Sequence, residues 1–250
     1  MDTAKKINIL ISTYNGEKYL AELLESLLDQ SYKNFRVLIR DDNSVDDSIN
    51  IINKYTTNYS GTFKLFHDSL GNIGAANSFI SLLQYTDADY VMFCDQDDIW
   101  KNNKVEITFN KMKATEGLYP SLPILVHTDL ELVNSELELI NSSFWQYQKI
   151  DPNRTKLNQI IVQNIVAGCT MIINKPLIKL VHPAPDEIMM HDWWLILIAS
   201  TFGKIDYIPD KTVFYRQHEL NQIGAKKYGR NSVIQRFTGW NNRKVENNNI

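Results

Sequence analysis

The chain has 250 residues, of which 44% are hydrophobic and 22% charged, and its formal net charge at pH 7 is −3. This composition is typical of a folded protein and excludes disorder, collagen and coiled coil as the main state. The slightly acidic balance argues against a general nucleic-acid-binding protein, which normally has a basic face. Cys94 and Cys169 lie inside apolar runs without zinc-site spacing, so we expect reduced thiols.

The first half of the chain alternates short apolar runs with segments of helical periodicity. Strands are predicted at 7–11, 35–39, 63–66 and 90–94, and helices at 17–29, 46–55 and 75–85. Ser44 or Asp46 is the expected cap of the second helix. Such alternation predicts an α/β fold with a parallel sheet, in which the carboxyl ends of the strands meet at one ligand-binding edge.

The second half of the chain has a less regular pattern. It predicts strands at 124–128 and 213–215, a strand or bent hairpin at 162–173, and an apolar helix at 193–199. We see neither a linker nor a repeat, and therefore expect one continuous domain over 1–250. Its expected parts are a nucleotide half at 1–115, a more variable half at 116–220, and an extension at 221–250.

Acidic residues follow two of the predicted strands. Asp41 and Asp42 come after the second strand, and Asp95, Asp97 and Asp98 come after the fourth. Neighbouring carboxylates repel one another and tend to retain protons, a penalty that a hard divalent cation such as Mg²⁺ or Mn²⁺ removes. A solvated acidic turn that caps the next helix explains the pattern equally well, so both interpretations remain open.

Other polar residues lie near predicted element ends. The segment 12–15 closes the first strand with hydroxyl and amide groups, and 71–77 is a small-residue turn whose helix start can approach phosphate. Asp192 precedes an apolar helix and is either an N-cap or a catalytic base beside aromatic residues that can stack on a sugar. After the last strand, Arg216 suits a phosphate, and His218 is either a metal ligand or a structural histidine.

Four motifs in this order resemble the inverting family 2 glycosyltransferases of the GT-A fold. They are Ile-Ser-Thr-Tyr-Asn at 11–15, Asp-Asp-Asn-Ser at 41–44, Asp-Gln-Asp-Asp at 95–98 and His-Asp-Trp-Trp at 191–194. The resemblance covers about residues 7 to 218 and is strongest to the bacterial rhamnosyltransferase-like branch of surface-polysaccharide synthesis. It implies a Rossmann-like, mostly parallel sheet flanked by helices, with a smaller mixed region on the acceptor side.

The resemblance also implies an activity. A sugar, with rhamnose as one candidate, would move with inversion from a dTDP- or UDP-linked donor to a glycan or lipid-linked acceptor. Such an enzyme would work in the cytoplasm or at the inner face of the cell membrane. The cofactor would be Mg²⁺ or Mn²⁺.

Site roles follow from the matching positions. The catalytic base would be Asp192, and the metal ligands Asp97, Asp95 and His218. The nucleobase and ribose of the donor would lie against Ser12, Thr13 and Asp42. Asp41 and Ser44 would support the loop that carries Asp42. The full nucleotide-sugar set would be Ser12, Thr13, Tyr14, Asn15, Glu17, Asp41, Asp42, Ser44, Asn72, Gly74, Asn77, Asp95 and Gln96. The sugar pocket would comprise Asp98, Trp100, Gly168, His191, Trp193, Trp194 and Arg216.

Two other functions remain open. A sugar-1-phosphate nucleotidyltransferase would normally carry a glycine-rich, basic loop after the first strand, where Tyr14-Asn15-Gly16-Glu17 stands instead. A carbohydrate-binding module that has kept the fold and lost the chemistry is the third candidate, disfavoured by the acids at 42, 95, 97 and 192.

The C-terminal extension mixes basic and aromatic residues. These are Lys226, Lys227, Arg230, Arg236, Phe237, Trp240, Arg243 and Lys244. Such a segment suits either peripheral contact with a membrane surface or a solvated terminal helix, and both interpretations remain open. The Asn-rich end at 241–250 is expected to be frayed.

Overall fold

The computed structural model describes residues 7–185 and 187–219. The strands are β1 (Ile7–Thr13), β2 (Phe35–Asp41), β3 (Phe63–Phe66), β4 (Tyr90–Cys94), β5 (Ile99–Trp100), β6 (Ile124–Val133), β7 (Leu139–Asn141), β8 (Ile172–Asn174) and β9 (Lys204–Arg216). The helices are α1 (Leu20–Leu28), α2 (Ser48–Asn58), α3 (Gly74–Gln84), α4 (Lys104–Leu118), α5 (Phe144–Gln148), α6 (Leu157–Ile160), α7 (Lys175–Leu180) and α8 (His191–Phe202). A 3-10 turn spans Gly168–Thr170.

The strands form one mixed sheet in the order β3-β2-β1-β4-β8-β6-β9-β5, with β7 attached to β6. The first four strands of this order pair in parallel, as the alternation of strands and helices predicts. Strand β8 runs antiparallel to both of its neighbours, β4 and β6, while β9 returns to a parallel pairing with β6. The predicted combination of a parallel half and a smaller mixed region is confirmed.

Side-chain alternation along the strands creates a core on each face of the sheet. Ile9 and Ile11 of β1 pack into one cluster with the buried leucines of α1, whereas Leu10 points to the other face. There it joins residues of α3 and α8 in the second cluster. Because a strand with both faces buried reads as a continuous apolar run, the short strands β1 and β4 were recognisable from sequence.

Two sequence predictions of secondary structure need correction. The segment 162–173 is neither a continuous strand nor a hairpin, since it contains irregular backbone, the 3-10 turn and only the beginning of β8. Helix α2 begins later than predicted, and Ser44 does not cap it. Instead, the Asp46 carboxylate accepts the Ser48 N–H at 3.0 Å near the helix start.

Helix α4 was not predicted from the sequence. Its inward face includes Lys104, Thr108 and Thr115 beside Val105 and Met112. Polar residues at buried positions hide the apolar periodicity that normally reveals a helix.

Within the described ranges, no helix has the length and apolar character needed to cross a bilayer. The basic and aromatic extension at 221–250, for which membrane contact and a solvated helix both remained open, lies outside the described residues.

Candidate active site

The carboxyl ends of β1, β2 and β4 bring the predicted polar segments together at one edge. Thr13 donates from its hydroxyl to Gln96 Oε1 at 2.8 Å, and the Tyr14 N–H donates to the same oxygen at 2.7 Å. Gln96 Nε2 returns a hydrogen bond to the Tyr14 carbonyl at 3.0 Å. A Cβ on Gly16 would lie 2.6 Å from Gln96 Oε1, so this glycine permits the close approach. Gln96 therefore ties the loop after β4 to the loop after β1.

Reciprocal hydrogen bonds also join the loops after β1 and β2. Asp41 accepts the Ser44 hydroxyl at 2.6 Å and the Ser44 N–H at 2.9 Å. The Ser44 hydroxyl in turn accepts the Asn15 N–H at 2.9 Å, and Asn15 Oδ1 accepts the Val45 N–H. Glu17 closes the same contact by accepting the Asp47 N–H at 2.9 Å. These bonds hold the loops in place at the strand ends. We call the surface formed by the loops after β1, β2 and β4 the rim.

Asp42 occupies a different place from the one expected. Its side chain is 2% exposed and forms an ion pair with Arg40. The same carboxylate accepts the Ile73 N–H at 2.9 Å and the Gly74 N–H at 2.8 Å. Asp42 and the start of α3 therefore bind each other, and the expected contacts of Asp42 with the nucleotide and of the α3 N-terminus with phosphate stay predictions. Asn72 and Asn77 are exposed beside this helix start.

The acidic turn, residues 95–98, connects β4 to β5. Asp97 Oδ2 lies 2.8 Å from His218 Nε2, which follows the end of β9. Ligating atoms of Asp95, Asp98 and Cys169 all lie within 4.8 Å of one another. The turn thus gathers carboxylate oxygens, an imidazole and a thiol from three parts of the chain.

The electrostatics of the acidic turn favour a cation. Burial, followed by the charges of Asp97 and Asp192, raises the pKa of Asp95 to about 7. Burial and the neighbouring carboxylates also raise the pKa of Asp98 well above its ordinary value. Carboxylate oxygens with one imidazole form a donor set that suits Mn²⁺ or Mg²⁺. Within the described residues, the group whose ligand atoms come together is Asp95, Asp98 and Cys169, so the acidic turn can hold a cation, and the assignment of Asp97 and His218 as its ligands stays a prediction.

Three residues expected to line a sugar pocket lie inside the fold instead. Asp98 is fully buried, and Trp100 is 2% exposed in the core with Lys104 Nζ 4.5 Å from its ring centroid. Arg216 is also buried and donates to the Asp97 carbonyl at 3.0 Å and to Glu22 at 2.6 Å. Asp98 Oδ2 has no hydrogen-bond partner within the described structure, whereas Arg216 is held by internal hydrogen bonds, and the expected sugar-pocket role of these three side chains stays a prediction.

Asp192 lies in the first turn of α8, after the N-cap residue Met190, and so is not itself the cap. Its carboxylate is 9% exposed and accepts the Trp193 N–H at 2.6 Å. Burial raises its pKa to about 6, and hydrogen bonds from the Asn164 side chain and the Gly168 backbone oppose that rise. Because the charge of Asp192 also raises the pKa of Asp95, the base candidate and the acidic turn act on each other.

The residues flanking Asp192 hold α8 in place. His191 is buried, with its ring centroid 4.2 Å from that of Phe79, and burial lowers its pKa to about 3. Trp193 donates from its indole to the Ile160 carbonyl at 2.9 Å, and Trp194 donates to the Val181 carbonyl at 3.3 Å. The rings of Phe79 and Phe93 lie against His191, and its place in the sugar pocket stays a prediction.

Sequence reasoning missed four residues beside the site. Tyr19 places its ring centroid 4.9 Å from that of His218 and 4.4 Å from the Arg216 guanidinium carbon. Asn164 and Cys169 contact the acids as described above, and Lys104 is buried with its pKa lowered to about 8 by burial. The sequence signal for Cys169 and Asn164 was only their position beside Gly168, in a segment interpreted as core.

Comparison with known proteins agrees with this architecture. A family model described as glycosyl transferase family 2 matches residues 8–181. The chain is 27% identical over 241 residues to dTDP-rhamnosyl transferase RfbG of Shigella flexneri, covering 90% of this chain and 79% of that protein. It is 35% identical over 99 residues to the putative glycosyltransferase EpsE of Bacillus subtilis, covering 40% of this chain and 35% of that protein.

Solved structures share the fold. Staphylococcus aureus TarS 1–349 in complex with UDP-GlcNAc matches with a TM-score of 0.64 at 22% identity, over 86% of this chain and 60% of that one. The mannosyltransferase PcManGT from Pyrobaculum calidifontis, in complex with GDP-Man and Mn²⁺, matches with a TM-score of 0.63 at 15% identity. The match covers 88% of this chain and 58% of that one. The chain thus spans about three fifths of each solved chain. It has the GT-A fold and belongs to glycosyltransferase family 2.

Proposed function

We propose that this protein transfers a sugar from a nucleoside-diphosphate donor to an acceptor hydroxyl, with inversion at the anomeric carbon. The observation that carries the proposal is the proximity of Asp192 to the acidic turn through Gly168 and Cys169. A Cβ on Gly168 would lie 3.7 Å from Asp192 Cβ, and the Sγ of the next residue, Cys169, lies within 4.8 Å of carboxylate oxygens of Asp95 and Asp98. A site for a leaving diphosphate and a site for a base are the two parts that such a reaction requires.

Asp192 acts as the general base. As the acceptor oxygen attacks the anomeric carbon, its proton passes to the Asp192 carboxylate and the bond to the diphosphate breaks with its electron pair. A pKa of about 6 suits this role, since the carboxylate is mostly ionised at pH 7 but more basic than an exposed aspartate. A single displacement of this kind, in which the attacking oxygen approaches opposite the leaving group, inverts the anomeric centre.

The donor lies at the rim formed by the loops after β1, β2 and β4. Tyr14 and Asn15 are exposed there and Asp41 is half-buried, so these three residues can contact the nucleobase and ribose of the donor. Asp97 and His218 would hold Mg²⁺ or Mn²⁺, with Asp95 beside them. When bound, such a cation neutralises the charge that develops on the leaving diphosphate.

The donor nucleotide and sugar are inferred from similarity. RfbG is named as a dTDP-rhamnosyl transferase, which supports a dTDP-linked donor and rhamnose as the first candidate. TarS was solved with UDP-GlcNAc, which makes UDP-sugars the second class to test. The acceptor would be a glycan or lipid-linked saccharide in bacterial surface-polysaccharide synthesis.

A base substitution tests the proposal. We expect Asp192→Asn to reduce the rate of sugar transfer by about 10² to 10⁴ because the general base is lost. The affinity for dTDP or UDP with Mn²⁺, measured by calorimetry, should stay within twofold, since the rim is unchanged. Asp151→Asn, which alters an exposed carboxylate away from the site, is the matched control.

Two outcomes would contradict the proposal. Transfer by Asp192→Asn at the wild-type rate would remove Asp192 as the base. Release of pyrophosphate from a nucleoside triphosphate and a sugar phosphate, without sugar transfer, would instead indicate a nucleotidyltransferase.

A further inference from the structure

Tyr19 lies at the start of α1, in the loop that follows β1. It occupies the N-cap position, where its side chain makes no capping hydrogen bond. Serine, threonine, aspartate and asparagine are strongly preferred at N-caps, because their side chains accept backbone N–H groups of the first turn. The Tyr19 side chain is nevertheless only 8% exposed. A buried aromatic ring at a position that favours a small polar residue therefore needs another explanation.

The contacts of Tyr19 are made by its ring and not by its hydroxyl. Its Oη is buried and has no hydrogen-bond partner within the described residues. The ring centroid lies 4.9 Å from the ring centroid of His218, with the two planes 35° apart, and 4.4 Å from the Arg216 guanidinium carbon. Both distances are typical of favourable ring–ring and cation–ring contacts. The ring thus contacts the last residue of β9 and a residue of the segment that follows it.

Both residues that contact the Tyr19 ring in turn contact Asp97. Arg216 Nε donates to the Asp97 carbonyl oxygen at 3.0 Å, and His218 Nε2 lies 2.8 Å from Asp97 Oδ2. The first contact holds the backbone of the acidic turn, and the second holds the carboxylate. Because Asp97 and His218 are the predicted cation ligands, the Tyr19 ring contacts one predicted ligand directly and the other through Arg216.

Arg216 also connects the acidic turn to two further parts of the chain. Its Nη1 donates to the Ser135 carbonyl at 2.6 Å in the turn between β6 and β7, and its Nη2 donates to Glu22 at 2.6 Å. Glu22 lies in the first turn of α1, so the start of this helix supplies both a carboxylate and a ring that contact Arg216. A guanidinium is a planar group with its donors in a rigid fork, so these partners together set its direction. The start of α1 thereby helps to fix where Arg216 meets Asp97.

We propose that Tyr19 is a positioning residue, and that its ring holds the His218 imidazole and the Arg216 guanidinium in contact with Asp97. This inference rests on the proposed function, because the arrangement matters to the reaction only if Asp97 and His218 bind the cation at the leaving diphosphate. Substitution of residues that orient metal ligands commonly lowers metal affinity by about 10- to 100-fold. The proposal requires the ring of Tyr19 and does not require its hydroxyl.

Substitutions that remove or keep the ring test the proposal by binding rather than by activity. We expect Tyr19→Leu to weaken binding of Mn²⁺ in the presence of dTDP or UDP about tenfold, measured by calorimetry. Tyr19→Phe keeps the ring and loses only the hydroxyl without a partner, so its affinity should stay within about twofold of wild type. Tyr85→Leu, at an exposed tyrosine just after α3, is the matched control and should also stay within about twofold.

Two outcomes of the binding test would overturn the proposal. Equal Mn²⁺ affinity of wild type and Tyr19→Leu, even with a lowered urea midpoint for the variant, would assign Tyr19 to core packing alone. A loss in Tyr19→Phe as large as that in Tyr19→Leu would assign the effect to the hydroxyl and not to the ring. If Tyr19→Leu does not fold by circular dichroism, Tyr19→Met, a longer and more adaptable side chain without a ring, replaces it with the same two outcomes.

A structural measurement separates this inference from the proposed function. If the wild-type protein transfers no sugar from any donor tested, the proposed function fails. Crystal structures of wild type and Tyr19→Leu then decide the positioning claim by the distance between His218 Nε2 and Asp97 Oδ2, which is 2.8 Å here. An increase beyond about 3.5 Å, where the hydrogen bond is lost, supports the claim. A distance that stays within hydrogen-bonding range overturns it.

Discussion

The strand-end rim and the surroundings of Asp192 place their polar groups in opposite ways. At the rim, Asn15 and Glu17 lie at the surface and accept backbone N–H groups of the adjoining loop, while Asp41 accepts the Ser44 N–H of its own loop. Around α8, polar side chains are buried, and both ring nitrogens of His191 lack a hydrogen-bond partner within the described structure. The rim is thus held together by hydrogen bonds between exposed loops, whereas the neighbourhood of Asp192 combines packing with hydrogen bonds from the Trp193 and Trp194 indoles.

This difference suits the two tasks of the proposed enzyme. A rim of satisfied loops gives a donor a preformed surface with little reorganisation on binding. A base needs a raised pKa, and burial is what raises the pKa of Asp192. Near the rim, substitutions should therefore lower stability by removing hydrogen bonds and charge pairs. Near α8, they should act by steric overlap or by altering the protonation of Asp192.

The largest expected effect concerns the ion pair beneath the rim. Asp42→Ala leaves Arg40 with one carboxylate partner, Asp68, and removes the acceptor of two backbone N–H groups. Breaking a buried pair costs about 3–5 kcal/mol of unfolding free energy. Urea denaturation measures the loss, with Asp47→Ala, at an exposed position, as the control within about 0.5 kcal/mol. Equal stability of the two variants would show that the pair does not support the rim.

A smaller loss is expected from crowding behind α8. A Cβ on Gly203 would lie 1.9 Å from the Pro123 carbonyl oxygen, which is a backbone atom that cannot rotate away. We expect Gly203→Ala to lower the unfolding free energy by about 3 kcal/mol, at the upper end for overpacking. Gly16→Ala meets mainly the Gln96 side chain and should cost less, about 1 kcal/mol. The reverse order in urea denaturation would contradict the contrast between the two regions.

The same contrast explains what the sequence revealed. The four parallel strands and the edge that gathers their polar ends followed from apolar runs separated by helical periodicity. The burial of Asp42, Trp100 and Arg216 did not follow, because a polar or aromatic residue beside a loop has the same pattern whether it faces solvent or the interior. The sequence placed Cys169 only within an apolar run. Its neighbours in space come from β4 and the loop after it, which are distant in sequence.

Protonation of Asp192 gives the third effect. Its raised pKa means that the basic form is present above about pH 6 and is lost as the pH falls through that value. We expect kcat/KM for transfer, which reports the free enzyme, to fall about tenfold per pH unit below 6. Measuring nucleotide binding at each pH separates this effect from loss of the donor. If the rate instead begins to fall only near pH 4, as for an exposed aspartate, burial does not raise the pKa of Asp192.

The smallest effect has the opposite sign and concerns α4, which packs against β6, β8 and β9. Gly117 is exposed near the end of that helix, and a Cβ there would meet nothing within 4 Å. Gly117→Ala should raise the unfolding free energy by about 0.5–1 kcal/mol, because alanine loses less backbone entropy in a helix. Urea denaturation of Gly117→Ala and Gly203→Ala compares a gain and a loss of unfolding free energy for the same Gly-to-Ala change. If Gly117→Ala were as destabilising as Gly203→Ala, steric overlap with Pro123 would not explain the cost at Gly203.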